Sequence, residues 1–266
     1  MFAAYLARSV QPSTIRVYLS AVRNHYLHLE AGHADPLGDT WLLGRVLKGI
    51  DRCHGNSATR PRLPITVRMV HQLVDACHRC TTLNDSDKRL YVAAMLSAFY
   101  GFLRCAEFTS IVRRRDVKFE QGAALIFLRT SKTDPSGRGV TITIGPASPP
   151  YCAVSALLQY LLGTRSSTSP DRPLFVLSNG QPLSRPAFTA TVRMLLTSCG
   201  FDSALYAGHS FRIGAATTAA LAGLPDSVIR EAGRWKSDAC LRYIRTPTAA
   251  KARVAAAMAS APDIKF

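Results

Sequence analysis

Apolar positions recur at helical spacing through most of the chain and change to strand-like segments over one central stretch. Residues 13 to 30 (STIRVYLSAVRNHYLHLE) place Ile15, Leu19, Val22, Tyr26 and Leu29 on one stripe behind Ser13, a good N-cap, so a helix is predicted there. A second helix is predicted from about Asp39 to Arg52, burying Trp41, Leu43, Val46, Leu47 and Ile50. Periodicity lapses over Cys53 to Pro64 (CHGNSATRPRLP), which reads as a linker between domains. Thr66 then caps a helix with the stripe Val67, Val70, Leu73, Val74 and Cys77, and a longer apolar helix runs from Asp85 towards Phe99 and Tyr100. Strand-like segments take over in Ala123 to Arg129 (AALIFLR) and Gly139 to Ile144 (GVTITI), which flank the turn-rich TSKTDPSGR. Helical spacing returns at Tyr151 to Leu162, and again from the Ser184 cap to about Ser198, after an Asn179-Gly180 turn. Past Pro247 an alanine-rich helix is predicted over residues 249–261, whose narrow apolar edge of Val254 and Met258 suits docking into a neighbour. The class is mainly α with a small antiparallel β-sheet (α+β).

Charge narrows the choice of partner. Hydrophobic residues make up 47% of the 266 and charged residues 19%, as in a globular protein, but the formal net charge is +16 and the pI about 10.0. That excess suits a polyanion, and double-stranded DNA is the expected partner. A membrane is not expected, because no stretch approaches the roughly 20 apolar residues of a spanning helix, and MFAAYLARSV lacks the pattern of a signal peptide. Seven scattered cysteines point to free thiols in an intracellular, reducing compartment, whether a bacterial cytoplasm or a eukaryotic nucleus. Cys77-His78-Arg79-Cys80 has no second ligand pair at zinc spacing, so no metal site is expected. No phosphate-cradling G-x-x-x-x-G-K-[ST] loop and no acidic cluster for paired magnesium ions is present, and no cofactor is expected.

The chemistry concentrates in Gly208 to Arg245 (GHSFRIGAATTAALAGLPDSVIREAGRWKSDACLRYIR). His209 and Arg212, three apart, project from one helix face. A second short helix leads to Gly233-Arg234-Trp235, and Tyr243 follows between Arg242 and Arg245. Imidazole, guanidinium, indole and phenol in this order suit the holding of a phosphodiester and its attack by the phenol.

His-x-x-Arg, Gly-x-Trp and Tyr-Ile-Arg in that order resemble the C-terminal signature of the tyrosine recombinases, the phage-integrase superfamily, and most of all its Cre-like and eukaryotic mobile-element members. The resemblance extends upstream. Arg104-x-x-Glu107, at the end of an apolar helix, is similar to the family's first catalytic arginine and its acidic partner, and Ser131-Lys132-Thr133 to its hairpin lysine, with Lys118 and Arg129 as competitors. It implies Arg104, Lys132, His209, Arg212, Trp235 and Tyr243 as catalytic residues, supported by Glu107. The implied reaction is site-specific DNA recombination or integration through a 3′-phosphotyrosyl bond, independent of metal and ATP. The alternatives are a recombinase-derived DNA-binding protein without that activity, and type IB topoisomerase-like cleavage and resealing. The implied organisation is a helical core-binding domain at 1–58, truncated against the family pattern, a linker at 59–64, and a catalytic domain at 65–266. DNA contacts are expected from Arg16, Arg23, Arg60, Arg62, Arg113, Arg114, Arg242 and Arg245, and a homotetramer on DNA from the C-terminal helix.

Overall fold

The computed structural model describes residues 2–29, 37, 40–54, 62–130, 134, 137–164, 169–237, 240–241 and 243–245. The helix expected over 249–261 lies outside the described residues. The chain divides into two compact units, Met1–Pro61 and Arg62–Phe266.

The first unit contains α1 (Phe2–Leu6), α2 (Pro12–Leu29) and α3 (Thr40–His54). Pro12 opens α2, where a missing N–H does no harm and the ring's fixed φ favours the helix. The carbonyl of Gln11 takes the first turn's N–H groups, from Thr14 at 2.9 Å and Ile15 at 3.1 Å. Ser13 therefore sits inside the helix and is not its cap. The core is small: Ala3, Leu6, Ile15, Leu19 and Ile50, packed by Leu43, Val46 and Leu47. Of the expected α2 stripe Ile15 and Leu19 are buried, whereas Val22 and Tyr26 stay 43% and 38% exposed. Trp41 is a correction. It is 65% exposed, since it lies two residues before Leu43 and so faces away from the buried side of α3, with Arg45 5.0 Å from its ring centre.

The second unit is built on α5 (Asp85–Tyr100), whose residues from Leu90 to Phe99 are all buried. A helix apolar on every side belongs in the middle of a domain, and α5 packs against α4 (Val67–Arg79), α6 (Ala153–Gly163) and α8 (His209–Leu221). The caps are the expected ones: Thr66 Oγ1 accepts the Met69 N–H and Ser184 Oγ accepts the Ala187 N–H, which opens α7 (Arg185–Ser198). α9 (Asp226–Gly233) follows α8. The sheet is antiparallel in the order β1 (Val117–Glu120), β2 (Ala123–Leu128), β3 (Val140–Ile144), with Ile126 opposite both Val117 and Ile142. Alternate residues Ala124, Ile126 and Leu128 face the core. Among the described residues no helix is long and apolar enough to cross a membrane.

Candidate functional site

The site begins where α5 stops. Gly101 caps the helix, and a Cβ there would lie 2.8 Å from the Ser97 carbonyl oxygen. Phe102 then takes a left-handed φ of 49°, and the chain turns into Arg104. Glu107, only 2% exposed, secures that turn. One carboxylate oxygen accepts from Arg104 Nη1 at 2.7 Å; the other accepts from the Arg104 main-chain N–H at 2.8 Å. Glu107 also opens a π-helical turn through Ile111 (Val112 N–H to the Glu107 carbonyl, 3.0 Å), an irregularity frequent at functional sites.

From α8, Arg212 reaches inward and is fully buried. Its Nη1 donates to the Phe102 carbonyl and its Nη2 to the Gly233 carbonyl, tying the Arg104 turn to the end of α9. The guanidinium carbon lies 4.3 Å from the Trp235 ring centre and 5.9 Å from that of Tyr243. Burial first, then the charges of Arg104 and Arg234, push Arg212 down to about 9, which leaves it protonated at neutral pH. Gly233 lets the indole lie this close, because a Cβ there would come within 1.6 Å of the Trp235 ring.

Tyr243 closes the group. Its ring centre is 4.9 Å from Trp235 and 5.1 Å, edge-on, from His209. His209 stands at the exposed mouth of the site, yet enough protein surrounds the imidazole that partial burial, followed by the charges of Arg212, Arg104 and Arg185, lowers its pKa. It is neutral at pH 7 and able to accept a proton.

The structure thus brings Arg104, Glu107, His209, Arg212, Trp235 and Tyr243 together from stretches about a hundred residues apart. It adds Arg234, which the sequence reading missed. This side chain, 9% exposed, gives Nη2 to Glu107 at 2.8 Å and to the Phe102 carbonyl at 3.2 Å, and Nη1 to the carbonyls of Gly101 at 3.2 Å and Ala232 at 3.3 Å. No spacing rule reveals it, because its partners are mostly main-chain oxygens. Lys132, with its neighbours Ser131 and Thr133, lies outside the described residues. Of its competitors, Arg129 pairs with Asp116 at 2.6 Å and Lys118 is exposed on β1.

The expected DNA-contacting arginines have varied surroundings. Arg16 forms a two-pronged pair with Asp51 on α3, and Arg23 is exposed on α2. Arg62 donates to the Ala204 carbonyl. Arg114 is turned inward, to Thr164 Oγ1 at 2.5 Å and the Leu161 carbonyl at 2.8 Å, so its donors stitch the second unit together instead of facing outward. Arg113 gives its main-chain N–H to Asp116 at 2.8 Å, and Arg245 is exposed. Arg60 and Arg242 lie outside the described residues. Among the described residues no group of three or more His, Cys, Asp or Glu is placed to hold a metal ion.

A family model described as the phage integrase family matches residues 65–247. An "Integrase/recombinase xerD homolog" of Selenomonas ruminantium is 30% identical over 247 residues, covering 90% of this chain and 70% of that one. Among solved structures, the Tn1549 transposon integrase in complex with transposon right-end DNA superposes with a TM-score of 0.63 at 14% identity, over 96% of this chain and 81% of that one. XerH recombinase in a post-cleavage complex with palindromic difH substrate gives 0.58 at 13% identity over 76% of this chain, which spans about half (54%) of that protein's length.

Proposed function

The chain belongs to the phage integrase family, and from that premise we propose that it cuts and rejoins duplex DNA at specific sites through a 3′-phosphotyrosyl intermediate on Tyr243. The observation that carries this is the convergence on the Tyr243 ring of one imidazole and a fully buried arginine, with a carboxylate-held arginine beside them.

The chemistry follows from those groups. The Tyr243 oxygen attacks the scissile phosphorus, the bond to the 5′-oxygen breaks, and the 5′-hydroxyl leaves carrying a proton. Neutral His209 is suited to take the phenolic proton, and Lys132 is the proposed donor to the 5′-oxygen. Arg104 and Arg212 would balance the charge that builds on the non-bridging oxygens. Each terminal nitrogen of Arg212 gives one N–H to a protein carbonyl and has a second to offer, but the side chain is fully buried beside the Trp235 and Tyr243 rings, so a phosphate reaches it only if those rings shift. Rejoining is the reverse displacement by a DNA 5′-hydroxyl. The phosphotyrosyl bond conserves the energy for it, and no external energy source is needed.

The +16 charge supports duplex DNA as the partner, with exposed Arg23 and Arg245 among its contacts. We place the core-binding role in residues 1–58, the linker at 59–64 and catalysis in 65–266. A homotetramer on DNA, held by the segment that follows Pro247, completes the proposal.

The test uses a pool of nicked duplexes of randomised sequence, in which cleavage near the nick releases a short strand and traps the enzyme on DNA. The wild-type protein should form adducts that survive denaturation, and Tyr243→Phe should bind the selected DNA but form none. Adducts persisting in Tyr243→Phe would assign the nucleophile elsewhere. Binding without any wild-type adduct would mean a DNA-binding protein that does not cleave.

A further inference from the structure

α8 does more than carry His209 and Arg212. Thr217, in its second half, is 3% exposed, a poor place for a hydroxyl without partners. A helical threonine usually returns its hydroxyl to the carbonyl three or four residues back. Thr217 reaches across the fold instead. Its Oγ1 donates to the Tyr243 carbonyl at 3.1 Å and accepts the Arg245 N–H at 3.0 Å. One side-chain atom thus engages main-chain groups on both sides of Ile244, as the edge of a strand would. Beside it, Tyr243 and Ile244 pack against Ala216, Ala219, Ile229, Trp235 and Cys240.

The geometry has a mechanical reading. The Tyr243 main chain is fixed to the helix that bears His209 and Arg212, while its ring is only half-buried. α8 then acts as a ruler between the phosphate-binding end of the site and the root of the nucleophile. We infer that Thr217 is a positioning residue for Tyr243, which touches no substrate and sets the distance and direction from which the phenol approaches. The inference rests on the proposed cleavage reaction, and it adds to that reaction a residue whose type alone gives no hint of a role.

The experiment compares Thr217→Val, which keeps the shape and loses the hydroxyl, with Thr217→Ser, which keeps the hydroxyl. Single-turnover adduct formation is followed on nicked duplexes selected with the wild-type protein, alongside DNA affinity, the unfolding midpoint and hydrogen exchange at the Arg245 amide. A nucleophile displaced by a fraction of an ångström to an ångström loses between about tenfold and a hundredfold in rate, so Thr217→Val should slow adduct formation by that factor at saturating DNA. Its DNA affinity should stay within about twofold, exchange at Arg245 should accelerate, and Thr217→Ser should recover most of the rate. If Thr217→Val proves too unstable to assay, Thr217→Ala stands in with the same expected ordering. An unchanged adduct rate in a folded variant lacking the hydroxyl would overturn the inference. So would a loss of DNA affinity and fold that Thr217→Ser shares, which would mark an ordinary structural threonine. Absence of adducts from the wild-type protein would sink the cleavage reading first, and this one with it.

Discussion

Arg234→Ala tests whether the site is held together by buried charge. In the folded protein Glu107 is 2% exposed and lies between Arg104 at 2.7 Å and Arg234 at 2.8 Å. Removing Arg234 leaves the carboxylate buried with one ionic partner, and takes a donor from the carbonyls of Gly101, Phe102 and Ala232. Stranding a buried charge completely costs roughly 3 to 5 kcal/mol. Because Arg104 remains, the lower end, about 3 kcal/mol, is expected. For a unit of about 200 residues that lowers the melting temperature by roughly 6 to 12 °C. The chain has two tryptophans, and exposed Trp41 can be replaced by Phe so that fluorescence reports Trp235, beside the mutated residue. A cycle with Glu107→Gln separates charge from packing. The neutral amide in the double variant strands no charge, so the double loss should fall short of the sum by more than about 1 kcal/mol. A melting shift under about 2 °C for Arg234→Ala, or an additive cycle, would refute the reasoning.

Two further outcomes follow from the same geometry. His209 has a folded-state pKa below its ordinary 6.5, so the unfolded chain takes up the proton first; its contribution to stability is fully present above about pH 6.5 and declines as pH falls through the window down to the folded pKa. His209→Asn should flatten the loss of stability as pH falls below about 6.5, and an imidazole seen by NMR to titrate at or above its ordinary value would contradict this. Gly214→Ala should cost more than about 3 kcal/mol despite alanine's better helix propensity, because the added Cβ would sit 1.7 Å from the main-chain oxygen of Ile65. An unchanged unfolding midpoint would show that α8 and Ile65 do not approach so closely.

What the sequence disclosed depended on how local its cause was. Thr66 and Ser184 were legible as caps because a cap is a bond within one turn. β3 showed in strict alternation and β2 as a short apolar run, but β1 was passed over: Val117 and Phe119 alternate with Lys118 and Glu120, yet four residues with two charges among them are too short a run to mark a strand. The turn that joins it to β2 uses Gln121 and Gly122 at φ 50° and 78°, a two-residue hairpin whose first position lacks the usual Asn or Asp. Trp41 misled because bulk suggests burial, whereas the register of α3 decides it. His209, Arg212 and Tyr243 were found through their order along the chain, but order carries no depth, so nothing foretold that Arg212 would be buried under the rings of Trp235 and Tyr243. Arg114 looked like part of a basic run and is a brace inside the second unit.

The deeper reason is that the site is assembled as much from main chain as from side chains. Phe102 at φ 49° and Arg234 at φ 56° are both left-handed without being glycine, a conformation that costs on the order of 1 kcal/mol or more each. Such strain persists only where the surroundings over-determine it. Here the Phe102 carbonyl accepts from both Arg212 and Arg234, and Arg234 is held further by Glu107 and by the Gly101 carbonyl. Each strained residue thus supplies a group that holds the other in place, and Arg104 is mounted on the turn they share. Glycine at position 102 would relieve the strain and keep the carbonyl, but it would remove the ring that packs edge-on against Trp235 at 6.2 Å, and with it part of the wall behind Arg212. The strain is therefore retained by the need for a side chain and an inward-turned carbonyl at one residue, a requirement that no single-residue motif expresses.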